Sequence, residues 1–227
     1  GVLYGTGSKT NADGSFDLNS NGFPQITSSP MVLGDPNPDW RGGISLNMRY
    51  KKFRLNAVLE HSHGGEFSPR TLWVLRRFGT TQETANRLTL DQSLVNYRGT
   101  TVPAGTTVRG NIEDFGGGPV LLDENWYRTG IGGGFGDNQA YNFSIADATW
   151  TKLRDLSLSY VLDTPVVKNI GLSDVIFTFT GRDLININNV DGIDPEINTK
   201  GVSVAQGVEY FTNPQTKGFL FSLTINY

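Results

Sequence analysis

Hydrophobic and polar residues alternate with a period of two in several segments of the chain. The first such segment follows Trp40, and its apolar positions are Ile44, Leu46, Met48 and Tyr50. Only Lys51 and Lys52 separate it from a second segment, whose apolar positions are Phe53, Leu55, Ala57 and Leu59. This alternation is typical of β-strands with one apolar and one polar face. So short a connection predicts a tight antiparallel hairpin.

Three further strands are predicted in the C-terminal third. From Trp150 onward, one face is expected to hold Lys152, Arg154, Leu156, Leu158 and Tyr160, although Leu153 breaks the polar pattern of the other face. A second strand has apolar residues at Val175, Phe177 and Phe179. The last strand is the most regular, with its apolar face formed by Phe219, Phe221, Leu223, Ile225 and Tyr227. We predict that this C-terminal strand serves barrel assembly.

The segments between these strands are long and rich in turn-forming residues. Residues 6–38 predict an irregular loop because Gly, Asn, Asp, Ser and Pro dominate them. Residues 64–148 contain few strand signals, although a spacing of three and four residues predicts a helix over residues 68–78. Residues 186–215 form a second long loop. Connections longer than about 12 to 15 residues are uncommon in compact soluble domains, which counts against a simple sandwich.

The order of short and long connections favours a membrane barrel over a sandwich. If the turn at Lys51 and Lys52 lies at the short-turn end, both long loops fall at the opposite end, and Tyr227 falls at the short-turn end. Outer-membrane barrels have short periplasmic turns and long outer loops, so we expect a periplasmic C-terminus. A soluble antiparallel sandwich shows the same alternation and remains the alternative from periodicity alone. We therefore predict an all-β fold, a segment of an antiparallel transmembrane β-barrel with long extracellular loops.

Composition excludes several classes of function. The 227 residues carry 19 Lys and Arg against 22 Asp and Glu, a net charge of -3 that gives no electrostatic footprint for nucleic acid. The absence of cysteine excludes disulfides, thiolate zinc sites and a Cys nucleophile. The chain contains no run of about 18 apolar residues, so no membrane helix is predicted. A barrel strand, however, needs only about 9 to 11 residues to cross the membrane. Because Gly1 is not preceded by Met or a signal peptide, we expect the chain to be processed or excerpted.

Candidate metal and nucleotide sites have weak support in the sequence. His61 and His63 would project to one side of a strand beside Glu60 and Glu66, but a third positioned ligand is missing. We interpret the two histidines as polar residues at the outer rim of a strand. The glycines of residues 130–136 form no GxGxxG motif and are followed by no Lys-Ser or Lys-Thr pair, so they favour close backbone packing over a nucleotide cradle.

An acidic cluster at Asp191, Asp194 and Glu196 is the remaining candidate cation site. Its spacing does not match the EF-hand pattern, so a turn that shapes the loop is the preferred interpretation. No Ser-His-Asp arrangement is recognisable either, so catalysis has no positive support. We predict no enzyme activity, no metal and no cofactor.

Several spaced motifs together carry a resemblance to a known family. They are GDPNPDW at residues 34–40, GG at 42–43, YKKF at 50–53 and GGE at 64–66. Further along are LRDLSLSY at 153–160, GRDL at 181–184, DGIDPE at 191–196 and the strand over 219–227. In this order they resemble the late barrel of SusC/RagA-type TonB-dependent outer-membrane transporters. Asp183 stands where that family commonly has Asn, and residues 213–216 are a loose version of its pre-terminal turn.

The resemblance implies that residues 1–227 are the C-terminal portion of a transporter, containing the last strands of a 22-stranded barrel. The plug domain and the TonB-contacting segment of that family do not appear in these residues. Such transporters import oligosaccharides or peptides across the bacterial outer membrane, with a SusD-like surface lipoprotein as a lid and TonB as the energy source. Two alternatives stay open: a soluble or surface-attached glycan-binding β-sandwich and a β-rich hydrolase.

Aromatic residues supply the candidate contact sites. We predict contacts with substrate or lid for loop aromatics that could stack on sugar rings, with anchoring of the loops as the alternative; they are Trp73, Trp126, Tyr127, Tyr141 and Tyr210. Aromatics near strand ends are typical of interfacial girdles between lipid and water. These residues are Tyr50, Trp150, Tyr160 and Tyr227.

Overall fold

The computed structural model describes residues 2–129, 140–197, 199, 206–213 and 215–227. The N-terminal part contains β1 (Leu3–Gly5), β2 (Met31–Gly34), β3 (Trp40–Tyr50), β4 (Phe53–His63), β5 (Glu66–Pro69) and helix α1 (Arg70–Arg77). The middle part contains β6 (Arg87–Thr89), β7 (Leu94–Val95), β8 (Thr101–Val102), β9 (Thr107–Arg109), β10 (Asn111–Asp114), β11 (Pro119–Leu122), α2 (Glu124–Thr129) and β12 (Ala146–Asp147). The C-terminal part contains β13 (Trp150–Leu162), α3 (Pro165–Asn169), β14 (Asp174–Asn188), β15 (Val208–Glu209) and β16 (Gly218–Asn226).

The chain divides into two compact units. The sheet unit comprises Pro38–Gly65, Asp147–Glu196 and Asn213–Tyr227. The loop unit comprises Gly1–Asn37, Glu66–Ala146 and Ile197–Thr212. None of the helices within the described ranges is long and apolar enough to cross a membrane.

The sheet unit is built on five long antiparallel strands in the order β16-β14-β13-β4-β3. The predicted hairpin is confirmed, because Tyr50 pairs with Phe53 across the turn at Lys51 and Lys52. Lys51 adopts a left-handed φ of 53°, as tight hairpin turns require. Strands of 9 to 15 residues are long for a globular sheet, where five to six residues is usual.

The register of the sheet separates its residues into an apolar and a polar face. One row across all five strands consists of Met48, Leu55, Leu158, Phe179 and Phe221. Phe221 is 80% exposed, and the exposed large side chains of this face continue along each strand. The adjacent row, on the opposite face, is entirely polar and consists of Arg49, Arg54, Ser159, Thr178 and Ser222. The alternation read from the sequence therefore corresponds to two continuous faces.

A bulge in β13 corrects the predicted faces of that strand. The register shifts between Leu153 and Asp155, where Arg154 is the additional residue. The shift places Leu153 on the apolar face opposite Leu59, while Lys152 pairs with Glu60 on the polar face. The prediction that Lys152 and Arg154 share a face with Leu156 was therefore wrong, because a bulge inverts the side-chain alternation that follows it.

The connection between β13 and β14 is short and contains helix α3. Thr164 precedes the helix in an extended conformation, and Pro165 occupies its first turn, where its missing N–H costs no hydrogen bond. At this end of the sheet Lys52 Nζ lies 2.7 Å from Asp163 Oδ1, and both side chains are exposed. The hydrogen bond between them raises the pKa of Lys52 and lowers the pKa of Asp163.

The loop unit has hydrophobic cores of its own. Its larger core is formed by Phe23, Val120, Leu122, Trp126, Tyr127 and Ala140. A smaller core is formed by Leu90, Leu94 and Leu121. The unit contains short antiparallel pairs, β1 with β2, β6 with β9, β7 with β8 and β10 with β11, and a parallel pair of β5 with β15. The predicted helix is confirmed as α1, whereas the strands of two to four residues were not predicted because they are too short to show a period.

Candidate functional site

The polar face of the sheet unit holds a network of buried charges around Lys152. The side chain of Lys152 is 1% exposed, and its Nζ lies 2.8 and 2.6 Å from the two carboxylate oxygens of Asp194. Nζ also lies 2.6 Å from Glu196 Oε2 and 3.2 Å from Gln215 Oε1. Because an unpaired ammonium is costly to bury, these four acceptor contacts explain how Lys152 remains inside the unit.

Arg154, the bulge residue, connects the same network to neighbouring strands. Its Nε donates to Glu60 Oε2 at 2.8 Å, and its Nη2 donates to Glu196 Oε1. Its Nη1 lies 3.7 Å from Asp183 Oδ1 on β14. Asp183 adopts a left-handed φ of 50°, a conformation that Asp and Asn tolerate better than other side chains. The backbone conformation at this position therefore suits Asp or Asn.

The segment after β14 is shaped by the same two carboxylates. The N–H of Glu196 donates to Asp194 Oδ1 at 3.0 Å, and Asn186 Nδ2 donates to Asp194 Oδ2 at 3.3 Å. Burial raises the pKa of Glu196, but hydrogen bonds from Arg154 and Lys152 and their positive charges outweigh it, so the pKa falls from 4.5 to about 2. The acidic motif thus acts as the predicted loop-shaping turn, with Lys152 in contact with both carboxylates.

Trp150 covers the cationic side of this network. Its ring lies 5.0 Å from both Lys152 Nζ and the guanidinium of Arg154, within the range of cation–π attraction. Only 4% of Trp150 is exposed, so its predicted place in an aromatic girdle was wrong. Its pairing with Ser62 places it on the polar face. Chemically, the network can fix a loop to the sheet.

The other strand-end aromatics lie near one end of the sheet, and their place in a girdle stays a prediction. Tyr50 and Tyr160 flank Phe53 in one apolar row near the short-turn end, with a ring distance of 4.9 Å between Phe53 and Tyr160. Tyr227 is almost fully exposed. At the opposite end of the sheet, Trp40 takes the place expected for Trp150.

Trp40 belongs to a ring cluster with both histidines. Its ring lies 4.9 Å from that of His61 and 5.8 Å from that of His63. His61 Nδ1 is 2.8 Å from Thr151 Oγ1. Across the described part of the chain, no group of three or more His, Asp or Glu side chains is placed to hold a metal ion. The glycine-rich residues 130–136 and Pro214 of the pre-terminal turn lie outside the described residues.

The structure places the predicted contact aromatics in two environments within the loop unit. Trp73, Trp126 and Tyr127 are buried, and the indole N–H of Trp73 donates to the carbonyl of Ser144 at 3.2 Å. Their observed contacts are those of the loop-anchoring alternative. Tyr141 is half-buried and packs 5.5 Å from Trp73, whereas Tyr210 is exposed beside Phe211.

The terminal-strand residues share the apolar face of β16. Val175 pairs with Ile225, Phe177 with Leu223, and Gly181 with Phe219. Each side chain of β16 on this face is more than half exposed; these residues are Phe219, Phe221, Leu223 and Ile225.

Sequence reasoning missed the residues that bind the acidic motif. Lys152 and Arg154 were assigned to a strand face and not to a site, and Glu60, which binds Arg154, was named only beside the candidate histidine pair. A signal was present, since two cations separated by one residue on the otherwise apolar face of the predicted strand are unusual without anionic partners. Without the bulge, however, the sequence gives no means of placing both cations beside Asp194 and Glu196.

The sheet, with one apolar and one polar face, has the fold of an antiparallel β-barrel segment. No protein-family model matches the chain. Over 216 residues it is 24% identical to a protein of Formosa agariphila named TonB-dependent receptor P3, and this match covers 93% of the chain and 18% of that protein.

Solved structures of a RagAB peptide importer have the same fold. The closed-closed state matches with a TM-score of 0.58 and 15% identity, over 100% of this chain and 23% of that one. The open-open state matches with a TM-score of 0.58 and 14% identity, over 100% of this chain and 22% of that one. The chain thus spans about a fifth of the length of the proteins it matches. The resemblance to SusC/RagA-like TonB-dependent transporters and the antiparallel barrel-type fold are confirmed.

Proposed function

We propose that this chain is the C-terminal portion of an outer-membrane, SusC-like TonB-dependent importer. The observation that carries the proposal is the continuous apolar face of the five-stranded sheet, with a polar face opposite. Strands with one apolar and one polar face fit a barrel wall between lipid and an aqueous lumen. A soluble sandwich would instead bury the apolar face under a second sheet.

Exposure of the apolar face supports lipid over a protein layer as its neighbour. Phe177 is 49% exposed and Leu223 is 58% exposed. Within the described residues, β3 and β16 each pair with one strand only. The proposal accounts for both edges, since a barrel of the 22-stranded size class would continue beyond each of them. The C-terminus would then lie in the periplasm, at the short-turn end.

The proposed activity is import of oligosaccharide or peptide nutrients. Substrate would bind under a SusD-like surface lipoprotein, and TonB would drive release through a plug domain encoded elsewhere in the protein. The relatives named as a TonB-dependent receptor and a peptide importer support nutrient import of this general kind. No covalent chemistry is proposed. The names of the relatives describe a receptor and an importer.

Two loop aromatics are proposed to contact substrate or the lid protein. Tyr210 is 41% exposed, and its ring packs 4.8 Å from Phe211, which leaves part of the aromatic surface accessible. Tyr141 is half-buried. Tyr and Trp rings provide a large contact area at low conformational cost, which suits both stacking on a sugar and packing against a protein.

The proposal is tested on the full-length protein in its host bacterium. Phe221→Arg places a charge on the apolar face, and Ser222→Arg places the same charge on the polar face one residue away. A lipid-facing arginine costs up to about 2 to 4 kcal/mol, so we expect Phe221→Arg to reduce the heat-modifiable outer-membrane form on gels, whereas Ser222→Arg preserves it. Equal assembly of both variants, or recovery of the full-length protein from the soluble fraction, would contradict the proposal.

Transport itself is tested by deletion of the gene. We expect the deletion strain to lose growth on a protein hydrolysate or on a complex polysaccharide as sole carbon source, and the wild-type gene to restore it. Unchanged growth on both substrates would contradict import of oligosaccharide or peptide.

A further inference from the structure

A cavity of about 450 Å³ lies within the loop unit. Its walls come from the last turn of α1, the end of β9 and helix α2, and four arginines line it: Arg76, Arg77, Arg109 and Arg128. The volume lies within the range of 300 to 1,000 Å³ that is usual for small-ligand sites. Three separate segments therefore bring four guanidinium groups around a space of ligand size.

The cavity lining carries an excess of positive charge. Against four arginines it contains two carboxylates, Asp123 and Glu124. Glu124 Oε1 pairs with Arg128 at 2.6 Å, and Arg76 pairs with Glu83 at 2.8 Å. Counted over its lining side chains, the cavity is therefore net cationic, whereas the whole chain has a net charge of -3.

Arg109 is held in the cavity wall by two backbone carbonyls. Its Nε donates to the carbonyl of Thr84, and its Nη2 donates to the carbonyl of Gly79 at 2.6 Å. Backbone carbonyls orient the guanidinium without neutralising it, and among the described residues no carboxylate forms an ion pair with Arg109. The side chain is thus held in place before a ligand arrives, as a planar fork suited to a carboxylate.

The remaining lining fits a sugar ring. Phe78 is 75% exposed and offers an aromatic face for stacking. Asp123, Glu124 and Asn125 supply acceptors and an amide that can bind hydroxyl groups.

We propose that this cavity binds a uronate-bearing oligosaccharide, with the sugar carboxylate at the arginines and the hydroxyls at the acidic side. The inference deepens the proposed function, on which it rests, by naming the substrate class of the importer. An acidic peptide presents the same carboxylate but lacks the hydroxyl groups that the acidic side would bind.

Binding is tested by calorimetry on the full-length protein in detergent, with trigalacturonate as the probe. Maltotriose, which has no carboxylate, and triglutamate, which has no sugar ring, are the comparison ligands. We expect trigalacturonate to bind at least about tenfold more tightly than either, because charge-assisted hydrogen bonds add to those of the hydroxyls. Equal or tighter binding of maltotriose or triglutamate would overturn the proposal.

Two variants and one control locate the site. Arg109→Gln and Arg128→Gln should each raise the Kd for trigalacturonate at least about tenfold. Arg98→Gln alters an exposed arginine of the same unit that does not line the cavity, and should leave the Kd unchanged. Equal effects of all three substitutions would overturn the assignment.

The gel-shift assay separates failure of this inference from failure of the proposed function. A protein that forms the heat-modifiable barrel but does not bind trigalacturonate overturns the uronate site alone. A protein that never forms that barrel overturns the proposed importer and, with it, the site.

Discussion

The ammonium group of Lys152 lies 2.6 Å from Asp194 Oδ2, and 1% and 6% of the two side chains are exposed. Lys152 is on β13, whereas Asp194 belongs to the segment that follows β14. A second ion pair of nearly the same length, Lys52 with Asp163 at 2.7 Å, has side chains that are 41% and 48% exposed. The sheet unit therefore contains a buried and an exposed ion pair whose energetic roles can be compared directly.

Lys152→Met should destabilise the folded protein strongly. Removing one partner leaves Asp194 buried without its counter-charge, which typically costs about 3 to 5 kcal/mol. Lys52→Met is the matched control and should change stability little, because exposed pairs contribute little. The measurement is the urea midpoint at which the full-length protein in detergent loses its heat-modifiable form. Equal urea midpoints for the two variants would show that burial does not increase the contribution of an ion pair to the stability of this protein.

The double variant Lys152→Met/Asp194→Leu should be more stable than Lys152→Met alone. Apolar replacements that fill the space of a buried pair are often nearly neutral, because no charge is left unpaired. The same urea titration measures this. A double variant less stable than the single one would indicate that Asp194 stabilises the loop through Asn186 or Glu196 more than through Lys152.

Glu196→Gln should reduce the stability of the folded protein at neutral pH. It should also make that stability less sensitive to a fall in pH. The pKa of Glu196 is lowered from 4.5 to about 2, so the folded protein releases this proton more readily than the unfolded chain. Its contribution is complete above about pH 4.5 and is lost as the pH falls toward 2.

The difference in urea midpoint between wild type and Glu196→Gln should therefore shrink between pH 4.5 and pH 2. Glu124→Gln, which alters an exposed carboxylate, is the control and should show no such trend. A difference that stays constant over this range would mean that Glu196 is not stabilised by Arg154 and Lys152.

Asp183→Asn should be tolerated, whereas Asp183→Val should destabilise the sheet. Residue 183 has a φ of 50°, and a left-handed conformation costs a β-branched residue about 1 to 2 kcal/mol, while Asn adopts it readily. Arg182→Val, at the adjacent position of β14, is the control. Heat-modifiable assembly and urea midpoints provide the measurement, and equal losses for Asn and Val would argue against a backbone cause.

Much of the sheet was predictable because its strands are long. A strand such as β16 repeats its alternation often enough for Phe221 and Ser222 to be assigned to opposite faces. The bulge at Arg154 was not predictable, since one inserted residue leaves only a local disturbance of the pattern, seen at Leu153. The same irregularity affects the partner strand β14 at Asp183, which adopts a left-handed φ of 50°.

The loop unit and the charged network were beyond sequence reasoning for a different reason. Strands of two to four residues, such as β7 and β8, are specified by packing around Leu94 and Leu121 and not by any local period. The contact between Lys152 and Asp194 joins residues 42 positions apart, and only the three-dimensional pairing of β13 with β14 brings them together. A single sequence can indicate that such a cation needs a partner, but it does not show which distant residue the partner is.

The central claim is that the apolar face of the sheet meets lipid, and single-cysteine labelling of β16 tests it most directly. Residues 1–227 contain no cysteine. Once any cysteine elsewhere in the full-length protein is replaced by serine, a fluorophore sensitive to polarity can be attached at residues 219 to 225 in turn in the assembled protein. We predict alternating signals, with labels at Phe219, Phe221, Leu223 and Ile225 quenched by brominated lipid and labels at Leu220, Ser222 and Thr224 unaffected. Quenching of the first set by aqueous iodide, with no effect of brominated lipid, would contradict the account.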